Sequence, residues 1–371
     1  MRIGIRATPR TSGGGAVFAE QLTGRLRSHP RVTDVTTFVL GPEDDNGDAS
    51  RVAVPIPGGP VARRLQGDRA LARAIAEHPV DILLCAGTEV SRVKNVPSVM
   101  WPLTVAPFEP AAMDRLGGSL RSAARWRLLR ESIRRNAALA DAFVFSSHYA
   151  RVLYRERVPS LSSAPSAVIQ PAASFPADPA PAPTVDGARR PYVLFVSHLY
   201  PYKMVVEAVE GFARALRRTG TEHDLLIAGN SVDEAYHQQV LATARRHQVV
   251  DRVRLLGGVA ATELPHLYRN ADVFLFPSIS ENAGSYALID AFAFGTPVLS
   301  SSTSSMPEIC QDAARFFDPR DPEQLGDQLA RLLSDEQMRT ELGNRGIELS
   351  RDMNSWATIA DRFVDFCGDQ L

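Results

Sequence analysis

The sequence predicts an α/β chain built from two Rossmann-like, doubly wound domains. Three observations carry this. Short, wholly apolar runs alternate with stretches of helical periodicity, the pattern occurs in two sets, and a Pro/Ala-rich segment separates them. In the first set the runs fall at 3–5, 35–40, 82–85, 99–101 and 142–145. In the second they fall at 192–196, 225–228, 253–256, 273–276 and 298–299. Runs this short without alternation suit parallel strands covered on both faces, with helices as crossovers. Residues 171–190 read PAASFPADPAPAPTVDGARR, a poor helix or central strand and a good linker. The expected layout is therefore a first domain over 1–170, a linker over 171–190, and a second domain over 191–352. A C-terminal segment, 353–371, follows. There Trp356, Ile359, Phe363 and Phe366 form one apolar helical face, a candidate for packing back on the first domain.

Composition narrows the function. The 371 residues include 41 Lys plus Arg and 42 Asp plus Glu, a formal charge of −1, which argues against a dedicated nucleic-acid binder. Only two of the 41 basic residues, Lys94 and Lys203, are lysines, the composition of a GC-rich genome. Cys85, Cys310 and Cys367 are too few and too scattered for a disulfide framework or a zinc site. The N-terminal MRIGIRATPR starts at once with strand-like alternation and has no signal-peptide core. No uncharged apolar run reaches the roughly 18 residues of a membrane span. The expectation is a cytoplasmic protein, with peripheral contact at the inner face of the membrane left open.

Two stretches hold candidate ligand-binding residues. Ser12, Gly13, Gly14 and Gly15 follow the first strand and precede a helix with Phe18, Leu22 and Leu26 on one side. Glycines there let backbone N–H groups approach an anion at a helix N-terminus; a plain tight turn is the alternative. The denser stretch is 277–319, PSISENAGSYALIDAFAFGTPVLSSSTSSMPEICQDAARFFDP. The strand at 273–276 runs into a loop of small polar residues, then a helix from Tyr286 to Phe294 that Gly295–Thr296–Pro297 ends. Ligands of open α/β sheets bind at such a strand-to-helix loop. Taken alone, Glu281 would favour the helix dipole and Asp290 would be a solvated surface acid.

In order, the stretch presents Pro277–Ser278, Glu281, Gly284, Asp290–Ala291–Phe292–Ala293–Phe294–Gly295–Thr296–Pro297–Val298, Pro307–Glu308, Asp312–Ala313 and Phe317–Asp318–Pro319. This resembles the signature of the large sucrose-synthase-like family of retaining glycosyltransferases, the family 4 type. The resemblance implies the GT-B fold, two Rossmann-like domains facing a central cleft. It also implies metal-independent hexosyl transfer from a UDP- or GDP-linked sugar, a co-substrate rather than a cofactor, to a hydroxyl acceptor. It gives Glu281 the hydroxyls of the donor sugar, with Ala283, Gly284 and Ser285 as the supporting loop, and gives Asp290 the ribose. Two departures stand out. The second acid is Asp rather than Glu, and eight residues separate it from Glu281, one more than is usual. The sugar-facing position therefore has two candidates, Glu281 and Asn282.

The second domain opens with Val193–Leu194–Phe195–Val196–Ser197–His198–Leu199–Tyr200–Pro201–Tyr202–Lys203. This resembles the family segment whose Arg and Lys hold the diphosphate. A cation there stabilises the charge left on the departing phosphate. Lys203 matches; His198 replaces the arginine with a weaker cation. Taken alone, Lys203 would be an exposed loop cation and His198 a hydrogen-bonded loop histidine. Leu255–Leu256–Gly257–Gly258 resembles the strand and loop beside the base, which makes Gly257 a donor-site candidate, and ordinary strand-to-turn chemistry is its alternative. Relatives often carry a histidine near 101–108, and this chain has none. Ser147–His148 reads as a helix cap beside a surface histidine. The arginines between 115 and 135 interleave with leucines and form a candidate surface for an anionic membrane, against the commoner case of a solvated helix. No metal-ligand cluster is evident. The predicted activity is retaining glycosyl transfer, with catalytic candidates Glu281, Lys203 and His198. Donor-binding candidates are Gly14, Gly15, Gly257, Asn282, Ala283, Gly284, Ser285 and Asp290. The alternatives are a GT-B nucleotide-sugar 2-epimerase and a non-catalytic sugar-nucleotide binder. The oligomeric state is not predicted.

Overall fold

A computed structural model of the chain describes residues 1–7, 14–41, 51–56, 60–118, 120–175, 191–282 and 286–371. Each apolar run becomes a strand. Ahead of the linker the elements are β1 (Arg2–Ala7), α1 (Gly14–Arg27), β2 (Asp34–Gly41), β3 (Arg51–Pro55), α2 (Pro60–Glu77), β4 (Ile82–Ala86), β5 (Ser98–Trp101), α3 (Pro110–Leu116), α4 (Leu120–Ala137), β6 (Ala142–Phe145), α5 (His148–Arg157) and β7 (Ser166–Val168). After it come β8 (Tyr192–Val196), α6 (Val205–Thr219), β9 (Asp224–Ala228), α7 (Glu234–Arg246), β10 (Val253–Gly257), α8 (Leu264–Arg269), β11 (Val273–Phe276), α9 (Tyr286–Ala293), β12 (Val298–Ser301), α10 (Met306–Cys310), β13 (Ala314–Phe317), α11 (Pro322–Ser334), α12 (Glu336–Asp352) and α13 (Trp356–Gln370).

The strands form two parallel sheets, ordered β3-β2-β1-β4-β5-β6-β7 and β10-β9-β8-β11-β12-β13. This is the two-domain Rossmann-like architecture that the alternating pattern predicts. Three strands, β3, β7 and β13, coincide with none of the apolar runs, and all three lie at a sheet edge. An edge strand is only partly covered, so its residues need not be continuously apolar.

Chain contacts divide the molecule into two compact units. The first comprises Met1–Phe108, Ala124–Pro171 and Asn354–Leu371; the second comprises Glu109–Ala123 and Ala172–Met353. In the first, Phe38, Leu83, Met100, Phe143 and Tyr154 belong to one buried core. The C-terminal helix α13 belongs here as well. Trp101 meets Phe18 edge-on at 4.9 Å and stacks on Phe363 at 6.0 Å, and His29 Nε2 lies 3.1 Å from Asp361. In the second unit, alternate residues of one strand feed two cores. Val193 and Phe195 pack with α6 and α11, whereas Tyr192 and Leu194 pack with α9. Both faces are covered, which is why the strand reads as a continuous apolar run.

Helix α9 ends as its sequence requires. Gly295 takes φ +67°, its N–H donates to Phe292 O at 2.9 Å, and Thr296 N–H donates to Ala291 O at 2.9 Å. Helix α12 passes so close that a Cβ on Gly343 would lie 2.4 Å from Gly295 O. A main-chain oxygen at a helix cap cannot swing aside as a side chain can. Gly343→Ala should therefore destabilise the protein by about 1–3 kcal/mol despite the better helix propensity of alanine. Gly24→Ala, in α1 with nothing within 4 Å of the added carbon, should stabilise by about 0.5–1 kcal/mol. Thermal melts of the two variants should shift in opposite directions.

Candidate active site

Adjacent parallel strands release their loops at one edge of a sheet. In the second unit the order reverses between β8 and β11, which pair with Val193 opposite Val273 and Leu194 opposite Phe274. Loops leaving the C-terminal ends of such a pair diverge, and the crevice between them is the usual ligand site of an open α/β sheet. The loop after β8 ends in a 3-10 turn, Pro201–Lys203, and Met204 enters α6 through a left-handed conformation, φ 56° and ψ 38°. That turn folds the Lys203 side chain inward, to 7% exposure. The loop after β11 brings in Glu281, 8% exposed, and the Lys203 ammonium forms an ion pair with its carboxylate. The ammonium also lies 5.4 Å from the Tyr202 ring centroid and 5.7 Å from that of Phe276. Burial largely removes the option of solvating either ion alone, so each depends on the other.

The main chain around the pair is held by hydroxyl groups. Ile279 N–H donates to Tyr202 O at 3.0 Å, which joins the two loops directly. Glu281 N–H donates to Ser304 Oγ at 2.9 Å, and Ser304 Oγ donates back to Glu281 O at 2.8 Å. Ser305 Oγ donates to the same carbonyl at 2.9 Å. These serines follow β12, so a third neighbouring strand contributes to the same edge. Ser280 Oγ donates to the Glu109 carboxylate. Burial, then the nearby Glu281, Tyr200 and Glu109, push the Tyr202 phenol well above its ordinary range, so it stays neutral.

The other candidates are placed as follows. His198 sits in the β8 loop, and its buried Nδ1 has no hydrogen-bond partner among the described residues. Asn282 follows Glu281 and is half-buried. Ala283, Gly284 and Ser285 lie outside the described residues. Gly257 ends β10 with φ +67°, and its carbonyl accepts from Gly229 N–H at 2.7 Å. Gly14 and Gly15 open α1, in the first unit. Asp290 is 3% exposed rather than solvated. Its Oδ1 accepts from Ser174 N–H at 2.6 Å, so the ribose role that the resemblance gives it falls on a carboxylate already engaged by the chain. Among the arginines of 115–135, Arg115 pairs with Glu207, and Arg134 and Arg135 pair with Glu131. Leu128, on the same helix, is 72% exposed.

Residues 182–349 match the family model for glycosyl transferases group 1. That match takes in a little under half of the chain and makes its second half similar to group 1 glycosyltransferases. A GDP-mannose-dependent alpha-(1-6)-phosphatidylinositol monomannoside mannosyltransferase of Mycobacterium tuberculosis is 26% identical over 329 residues, 80% of this chain and 84% of that protein. The O-antigen chain mannosyltransferase B of Escherichia coli is 27% identical over 180 residues, covering 47% of this chain and only 45% of that protein. In fold, the chain resembles sucrose-phosphate synthase from Thermosynechococcus elongatus. The TM-score is 0.75 at 17% identity, over 99% of this chain and 98% of the other. The fold is GT-B.

Sequence reasoning missed several residues at this site. Ser304 and Ser305 had a signal, a polar run directly after an apolar strand at the ligand-binding edge. Glu109 had none, because it lies 171 positions from Ser280. None of the described His, Cys, Asp and Glu residues forms a group able to hold a metal ion.

Burial pushes the Asp290 carboxyl up to about 7, partly offset by hydrogen bonds from Ser174 and Phe175. An acid whose folded value lies above its unfolded one contributes stability that is complete below the unfolded value, about 4, and lost as pH rises through about 7. Asp290→Asn should remove that component. In urea melts at pH 5 and pH 8, the variant should lose less stability with rising pH than the parent protein does; equal losses would contradict the assignment.

Proposed function

We propose that the protein is a glycosyltransferase that moves a hexosyl group from a nucleoside diphosphate sugar to a hydroxyl acceptor, with retention at the anomeric carbon. The observation that carries this reading is the buried Lys203–Glu281 pair at the point where the second sheet reverses its strand order. A diphosphate set against Lys203 would share its ammonium with Glu281, whose other carboxylate oxygen can accept from sugar hydroxyls. The His198 Nδ1 is a second nitrogen on the same loop available to a phosphate oxygen. The acceptor oxygen attacks the anomeric carbon on the face that the diphosphate leaves. The bond from that carbon to the phosphate oxygen breaks, and the acceptor's proton passes to the departing phosphate. Lys203 stabilises the negative charge that accumulates there.

The relatives' names favour GDP-mannose as the first donor to test and inositol-containing or lipid-linked hydroxyl compounds as the first acceptors. A thermal-shift screen should include GDP-mannose, UDP-glucose and UDP-N-acetylglucosamine. A donor at about 100 times its dissociation constant adds roughly 2.7 kcal/mol of stability. Release of an epimerised sugar nucleotide without acceptor would instead indicate the 2-epimerase reading.

Because Lys203 is buried, its removal costs stability as well as turnover, and the two effects need separating. Lys203→Ala should lower donor-dependent turnover by about a hundredfold or more and lower the melting temperature, since Glu281 is left unpaired. The double variant Lys203→Met, Glu281→Gln should regain most of the melting temperature without regaining turnover. Full turnover in either protein would remove Lys203 from the mechanism.

A further inference from the structure

We propose that Glu109 is a positioning residue for Glu281, holding the 277–282 loop through Ser280. The donor site would thereby be completed by a segment that precedes the linker and lies outside the family match at 182–349. The proposal rests on the nucleotide-sugar reading of the Lys203–Glu281 site.

Four observations support it. Glu109 is 6% exposed and Ser280 is 2% exposed, so the bond between them is made away from water, where a carboxylate requires a donor. Ser280 immediately precedes Glu281, and the bond therefore acts one residue from the carboxylate that pairs with Lys203. Glu109 occupies the N-cap position of α3, yet its side chain makes no capping hydrogen bond. Finally, the segment is tied at its other end as well. Arg115, in the last turn of α3, pairs with Glu207 in the first turn of α6, the helix that Lys203 leads into.

The segment 109–116 thus bridges both sources of the ion pair. One end holds the loop that carries Glu281, and the other holds the helix behind Lys203. Helix α3 also packs on the Pro201–Lys203 turn itself. A hydrogen bond from Ser280 to a carboxylate limits the conformations of the loop when no ligand is present. That lowers the ordering cost of binding a donor in reactive geometry. Ala112 and Leu116 are buried, so apolar packing holds the helix independently of the Glu109 side chain.

The test uses the full chain with Glu109→Ala, Glu109→Gln, Ser280→Ala and the double alanine variant. Amide hydrogen exchange is followed in peptides covering 277–282 without ligand. Initial rates are then measured with GDP-mannose or UDP-glucose, whichever the parent protein turns over. In Glu109→Ala the 277–282 amides should exchange about tenfold faster while β8 and β11 keep their protection. kcat should fall about tenfold or more, with KM for the donor within about threefold. Glu109→Gln, whose amide oxygen can still accept from Ser280, should recover most of both effects. The double variant should be no worse than Glu109→Ala alone, because the two residues act through one bond. Unchanged loop exchange in Glu109→Ala and Ser280→Ala would overturn the proposal, as would losses that add in the double variant. If Glu109→Ala fails to fold, exchange in Ser280→Ala decides. A parent protein that turns over no donor would count against the nucleotide-sugar reading, and loop exchange would still decide the role of Glu109.

Discussion

One ammonium and one carboxylate, enclosed together at the edge of a parallel sheet, set the requirements for everything around them. Neither ion tolerates this degree of burial alone, so the two loops that carry them have to meet. The meeting is built from main-chain and hydroxyl contacts. Ile279 bonds across to Tyr202, and Ser304 and Ser305 hold the Glu281 backbone from the next strand along. The reversal of strand order between β8 and β11 provides the space, since the chains leaving those strands turn away from each other. A formal charge of −1 for the whole chain conceals this concentrated arrangement.

The same enclosure bears on the choice of cation. Thirty-nine of the 41 basic residues are arginines, and the composition alone has no reason to spare a lysine. Lys94 is exposed, whereas Lys203 is boxed between two aromatic rings and a carboxylate. A compact ammonium directs its three donors from one point. A planar guanidinium needs a wider slot and partners arranged around its fork.

Much of the fold was legible in the sequence because central parallel strands have to be apolar on both faces. Every such run became a strand, and the strands β3, β7 and β13, which lie at sheet edges, escaped notice because edges relax that demand. In the site, the order of Glu281, Gly295 and Pro297 and the Lys203 segment pointed to two loops that the structure brings together. Their environment was not legible. Taken alone, Lys203 read as an exposed cation and Asp290 as a surface acid, and both are buried. The cause lies in chain segments remote in sequence: the Glu281 loop closes over Lys203, and Ser174 meets Asp290. Periodicity within a helix or loop carries no information about such partners. Glu109 is the extreme case, a residue ahead of the linker whose carboxylate is spent on a loop beyond it.

The grouping of Glu109–Ala123 with the second unit has a practical side for anyone recombining chains of this fold. A chimaera cut at the Pro/Ala-rich linker would seem to exchange one whole module for another. Such a cut would also replace the strap that grips the α6 helix and the Glu281 loop, through Arg115 and Glu109. The receiving half would then carry a foreign segment against its own ion pair. A graft that moves residues 109–123 together with the downstream half keeps these contacts native, so the natural seam of the molecule is not the one its composition advertises.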